Sequence, residues 1–188
     1  MKKALVSFPS IYSYSSLSNL NGYILFTQIE SEDVIVEVKL KGLPRGTHGF
    51  HIPEYNIKQD YINKMKNGVI IKDLCNTLGG HFNPFKTHHG SYKYATTRHA
   101  GDLINNLKVD ISGNVNIVFL DPLISLNKED KNYIINRSIV IHQEPDDEGL
   151  PGMNALLQYK KLDKLEEESL KTGNAGKRIA CGNIILIN

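Results

Sequence analysis

The chain has 188 residues, 40% of them hydrophobic, and a formal net charge of +2. That is enough apolar material for one good core, and residues 1–188 read as a single domain. The charge is too small to argue for a nucleic-acid partner. The opening Met1-Lys2-Lys3, whose short apolar run breaks at Pro9, offers neither a signal peptide nor the roughly 20 apolar residues that a membrane span needs. The expectation is a soluble, cytoplasmic protein with no nucleic-acid and no membrane partner.

Short β-rich runs separated by turn residues predict an all-β sandwich or barrel of about eight strands. In chain order the runs are residues 4–8, 22–26 after a Ser/Asn-rich link, 33–41, 46–55 after the Pro44 turn, 103–110, 115–120, 138–142 and 180–187. The third alternates, with Val34, Val36, Val38 and Leu40 on one face. Ser112-Gly113-Asn114 marks a hairpin between the fifth and sixth. Residues 151–170 are the one helix-like stretch, with Leu156, Leu157, Leu162 and Leu165 on an imperfect apolar side.

Chemistry concentrates in LCNTLGGHFNPFKTHHGSYKYATTRHAGDL, residues 74–103, where His81, His89, His99 and Asp102 are spaced H-x7-H-x9-H-x2-D. Three imidazoles and one carboxylate form a natural tetrahedral zinc set. The same stretch also reads as a polar loop in which histidines happen to cluster, because no short ligand motif is present. The two cysteines, Cys75 and Cys181, read as free thiols in a reducing cytosol.

The segments GTHGFHIPEY (46–55), GGHFNPFKTHHG (79–90), RHAGDL (98–103), IVIHQEPDDEG (139–149) and KTGNAGKRIACG (171–182) resemble the signature segments of the copper/zinc superoxide dismutases, in the family's order. The resemblance implies an eight-stranded Greek-key β-barrel, sandwich-like, with two long functional loops. It implies copper held by His51, His81 and His142, zinc held by His81, His89, His99 and Asp102, and His81 bridging the two metals. Asp146 matches the carboxylate that links ligands of both sites, and Cys75 and Cys181 stand where the family has a disulfide. Arg178 and Thr172 match the residues beside the copper, and Glu167, Glu168 and Lys171 fall in the segment that steers the anion. The implied substrate is superoxide, and the implied partners are a second copy of the chain and a copper-delivery protein. The Lys-, Asn- and Ile-rich composition fits an AT-rich genome such as that of some viruses or parasites; a viral origin would place the protein in a host cytoplasm.

Two departures qualify the resemblance. The segments 54–75 and 146–176 are longer than the family pattern, the first of them in a loop that usually contributes to the dimer contact. More seriously, the first copper motif of the family is H-x-H, two residues on one strand face, whereas here it reads His51-Ile52-Pro53. Proline carries no ligating atom. His48 is three residues from His51 and should point to the other strand face, short of a bulge, and His88 lies nearer the zinc set. Two functions follow: a superoxide dismutase with a three-histidine copper site, or an impaired member that acts as a zinc/copper-binding protein or as a decoy for copper-delivery proteins.

Overall fold

The computed structural model describes residues 1–187. Its strands are β1 (Lys2–Phe8), β2 (Ser13–Ser15), β3 (Asn21–Gln28), β4 (Val34–Lys41), β5 (Gly46–His51), β6 (Asn106–Val109), β7 (Asn114–Asp121), β8 (Ser138–His142), β9 (Arg178–Asn183) and β10 (Ile185–Leu186). They form two antiparallel five-stranded sheets, ordered β10-β1-β3-β4-β7 and β2-β9-β8-β5-β6. Strand β4 pairs with β7 rather than with β5, and β5 crosses to the other sheet to lie between β6 and β8. That crossing is the Greek-key connection of an all-β barrel.

The alternation read in residues 33–41 holds: Val34, Val36, Val38 and Leu40 are buried while Ile35, Lys39 and Lys41 face outward or half outward. The core between the sheets joins these to Val6, Ile24 and Phe26 from one side and Phe50, Leu107, Ile139 and Ile141 from the other. Two strands are additions to the expected set. Strand β2 lies inside the Ser-rich link and pairs with β9, and the last expected run is divided into β9 and β10. Strand β6 begins later than expected because Leu103 (φ 44) and Asn105 (φ 60) have positive φ, which a non-glycine strand residue does not adopt. Strand β5 stops at His51, where Ile52 N–H turns to Gly101 O (2.8 Å) and Pro53 has no N–H to donate.

The two enlarged segments carry the helices. Helix α1 (Gln59–Lys66) lies in the first. Ile57, Ile62 and Leu74 from this segment, with Leu78 just after it, cover the outer side of β8 and β9 at Val140 and Cys181. Asn183 clamps it there, accepting from Ile57 N–H (2.8 Å) and donating to Ile57 O (3.0 Å). Cys75 and Cys181 are joined in a disulfide with Cα atoms 5.7 Å apart. The expected helix over 151–170 is instead a pair, α2 (Leu150–Tyr159) and α3 (Lys164–Thr172). Lys160 adopts a left-handed conformation that ends α2, and Asp163 caps α3 through Leu165 N–H and Glu166 N–H. The buried residues of the pair are Gly152, Ala155, Ser169 and Leu170, whereas Leu157 and Leu165 are 73% and 71% exposed. Among the described residues no helix is long and apolar enough to cross a membrane.

Candidate metal centre

The site forms where β5 ends. Residues 52–55 run against 78–82 through Phe82 N–H to Ile52 O (2.9 Å), Glu54 N–H to Gly80 O (2.8 Å) and Tyr55 N–H to Leu78 O (2.9 Å). This pairing sets Pro53 opposite His81 and brings the His81 ring beside the His51 ring, centroids 4.0 Å apart. Strand β8 delivers His142 at its last position, with its ring 5.0 Å from that of His51 and 6.5 Å from that of His81. Gly49 allows the approach, since a Cβ there would lie 2.7 Å from the Ala175 Cβ and 3.2 Å from the His51 ring.

Asp102 organises the other side. Its Oδ2 accepts from His99 N–H (2.8 Å) and Gly90 N–H (3.2 Å), fixing the carboxylate. Its Oδ1 then faces Nδ1 of His81 (2.9 Å), His89 (2.9 Å) and His99 (3.1 Å). Of these nitrogens only that of His81 is aligned to hydrogen-bond it; those of His89 and His99 have no partner. Four ligands at zinc-type distances stand about 3.3 Å from one another, so the spacing fits a tetrahedral cation.

The tautomers agree. His51 Nε2 donates to Asp146 Oδ2 (2.6 Å), His89 Nε2 to Asp146 Oδ1 (2.9 Å), His99 Nε2 to Thr87 O (3.1 Å) and His142 Nδ1 to Gly176 O (2.9 Å). A neutral imidazole has one N–H, so each outward bond leaves a bare lone pair on the other nitrogen. Those other nitrogens, together with His81 Nε2, are the five buried side-chain polar atoms left without a partner among the described residues. They fall into two groups, His51/His81/His142 and His81/His89/His99/Asp102, each with its ligand atoms within 4.8 Å of one another. The His81 ring belongs to both.

Burial pushes His51 down to about 3, His142 to about 3 and His81 to about 4, so these rings are neutral at pH 7 with lone pairs available. Burial works against charge on His89 too, but the carboxylates of Asp102 and Asp146 at its two nitrogens outweigh it and push it up to about 10. Burial likewise opposes ionisation of Asp146, yet His51 and His89 hold it below the usual carboxylate range. Without a metal this ring therefore carries a second proton, at Nδ1, and a cation bound there would take that proton's place.

The remaining predicted residues sit around a cleft of about 300 Å³ lined by His81, His142, Glu168, Thr172, Asn174 and Arg178, among others. Arg178 is aimed by its neighbours, donating through Nη1 to Cys75 O (2.9 Å) and Nη2 to Gly79 O (2.6 Å). The Thr172 hydroxyl donates to Glu168 Oε1 (2.6 Å). Glu167 and Lys171 are exposed on α3, outside the cleft wall. Pro53 is buried and offers no nitrogen. His48 offers none either, because its two ring nitrogens face His142 O (2.9 Å) and Pro44 O (2.8 Å). His88 is exposed and belongs to neither group. Sequence reading missed Asn105 and Asn106. Asn105 Nδ2 reaches Asp146 Oδ2 (3.3 Å), and the Asn106 side chain brackets the Asp146 backbone at 2.8 and 2.9 Å. No spacing signals contacts about forty residues apart; an Asn pair at a strand start is the only trace. Asp147 also approaches His89 and Asp146, but its oxygens are taken by Ser169, Asn174 and the Gly149 amide.

The family model described as copper/zinc superoxide dismutase (SODC) matches residues 20–184. This chain belongs to that family. It is 41% identical over 167 residues to superoxide dismutase [Cu-Zn] A of Xenopus laevis, covering 88% of this chain and 89% of that one. It is 39% identical over 166 residues to the superoxide dismutase [Cu-Zn] of Paramecium bursaria Chlorella virus 1, covering 88% and 72%. A relative from Drosophila melanogaster, 37% identical over 90% of this chain and 78% of its own, is named an extracellular superoxide dismutase. Among solved structures the clock protein EA4 superposes with a TM-score of 0.70 at 32% identity, over 97% of this chain and 92% of that one. Membership makes the chain an oxidoreductase of superoxide dismutase type, with superoxide as substrate and copper and zinc as metals.

Proposed function

We propose that the chain is an active superoxide dismutase whose copper is held by three imidazole nitrogens. His51 Nδ1, His81 Nε2 and His142 Nε2 would hold copper, and Nδ1 of His81, His89 and His99 with Asp102 Oδ1 would hold zinc. The supporting observation is the set of five buried, unpartnered imidazole nitrogens, all turned into these two groups. When bound, copper exchanges one electron at a time, so that one superoxide is oxidised to oxygen and a second, with two protons, is reduced to hydrogen peroxide, while zinc supplies fixed charge.

The chain's own residues do the rest. Arg178, its guanidinium held by Cys75 O and Gly79 O, binds and orients the anion in the cleft, because a planar fork of donors suits a small oxyanion. Thr172 narrows that cleft, and Glu167, Glu168 and Lys171 shape the field at its mouth. His81, in the cleft wall, is the ring that passes a proton to the leaving product, carried at Nε2 when that nitrogen is not occupied by metal. Asp146 orients His51 and His89 through their outer nitrogens. Residues 1–188 act as one domain, in the cytoplasm and as a homodimer, loaded by a copper-delivery protein. Light scattering at micromolar concentration tests the dimer, for which the 54–75 loop has already committed Ile57 and Ile62 to its own barrel.

Pro53 motivates a second reading, an impaired member that binds metal or occupies copper-delivery proteins without turnover. The deciding experiment loads the purified chain with both metals, counts each per chain, and assays superoxide removal beside a His142→Ala control. One copper and one zinc per chain, with activity abolished in the control, supports the enzyme. Full zinc without copper, or activity indifferent to His142, leaves only the second reading. Pro53→His is expected to tighten copper retention without altering zinc content.

A further inference from the structure

The wall of the cleft is registered by a side chain that the reaction does not use. Backbone bonds ladder residues 143–147 onto 173–177: Gln143 N–H to Lys177 O (2.7 Å), Glu144 N–H to Ala175 O (3.2 Å) and Asp147 N–H to Gly173 O (2.8 Å). At the end of this ladder the Asp147 carboxylate gathers three donors. Oδ1 accepts from the Ser169 hydroxyl (2.9 Å) and the Gly149 amide (2.9 Å), and Oδ2 accepts from Asn174 Nδ2 (2.7 Å). Ser169 is fully buried near the end of α3, Gly149 precedes α2, and Asn174 lies in the cleft wall. One carboxylate therefore closes both ends of the α2–α3 hairpin onto the barrel. The residue before it, Asp146, is the one that holds His51 and His89. The backbone at Gly173 is pressed so closely upon them that a Cβ would lie 2.1 Å from Asp146 Oδ1 and 2.6 Å from His89 Nε2.

We propose that Asp147 is a positioning residue: it sets the end of α3, and with it Glu168 and Thr172, over Arg178 and His142, and it transmits displacement of the hairpin to the rings that Asp146 orients. The anion arm of this inference rests on the superoxide dismutase reading; the hairpin and zinc arms do not. Azide serves as the probe, titrated into the copper- and zinc-loaded protein and followed by absorbance, with zinc release to a chelator and amide hydrogen exchange measured in parallel. Asp147→Ala is expected to weaken azide about fivefold, speed zinc release about tenfold and speed exchange across 165–176. Ser169→Ala shows the same signs at smaller size, and the double variant falls short of the sum of the two, since they share the Ser169–Asp147 bond while Ser169 alone also accepts from Gly152 N–H (3.3 Å). Asp147→Asn, which keeps an acceptor for Ser169 and loses only Asn174, falls between, and folds if Asp147→Ala does not. Azide affinity and zinc release within twofold of the parent in these variants overturn the proposal, even if thermal stability drops. A parent that takes up zinc but neither copper nor azide defeats the copper assignment instead, and the zinc and exchange arms still decide the role of Asp147.

Discussion

Replacing both cysteines, Cys75→Ala with Cys181→Ala, perturbs stability and the anion site through one bond. The disulfide spans a sequence separation of 106. Closing a loop of that length removes about 4–5 kcal/mol of chain entropy from the unfolded state, and for a chain of this size its loss lowers Tm by about 10–20 °C. Alanine is the right substitute, because both sulfurs are buried among Ile57, Ile62, Leu74, Leu78 and Val140 and a serine hydroxyl there would be left unpaired. The second consequence runs through Arg178, whose Nη1 bonds to Cys75 O. Untied from β9, the 74–78 turn loses register with the guanidinium; one net hydrogen bond is worth about 1 kcal/mol, so azide binds the loaded variant about fivefold more weakly. Calorimetry and urea titration read the first effect, and absorbance titration reads the second. A Tm decrease below about 3 °C refutes the entropic argument. An unchanged azide affinity alongside the expected loss of stability refutes the claim that the disulfide aims Arg178.

Three further outcomes are expected. Asp146→Asn removes the charge that orients His51 and His89, and lowers affinity for both metals by about 10–100-fold in competition with chelators of known strength. Arg178→Ala lowers kcat/KM for superoxide by about tenfold or more and flattens its dependence on ionic strength, as stopped-flow measurement at several salt concentrations will read. Phe26→Ala, at a fully buried position, destabilises the fold by about 3–5 kcal/mol in urea unfolding while leaving metal stoichiometry unchanged.

The barrel was legible because its strands alternate: one face of β4 is all Val and Leu, and the structure buries that face. The helix α1 was not, since Ile62 is its only buried residue and its apolar side, Tyr61, Ile62 and Met65, is less than two turns long. The single helix expected over 151–170 went wrong for a related reason. The expected apolar side rests on leucines, but the two helices meet through Gly152 and Leu170, a small residue admitting a large one. The signal available for the division was Asp163-x-x-Glu166, a capping box in the middle of the supposed helix. In the metal centre His81, His89, His99 and Asp102 stood out by spacing, and His51, His142, Asp146, Arg178 and the cysteine pair came through the resemblance. The contacts of Asn105, Asn106 and Asp147 were invisible, because a hydrogen bond between side chains made adjacent only by folding leaves no periodicity in the chain.

The imidazole of His81 turns one nitrogen to each group of ligands, and this has a thermodynamic consequence. An ion accepted on one side fixes the ring's tilt and protonation for the other, so the two uptake equilibria are linked. Reciprocity then requires that the factor by which zinc alters copper affinity equal the factor by which copper alters zinc affinity. Measuring the cycle from either corner must return the same number, and that number expresses in free energy what it is worth to share a ring.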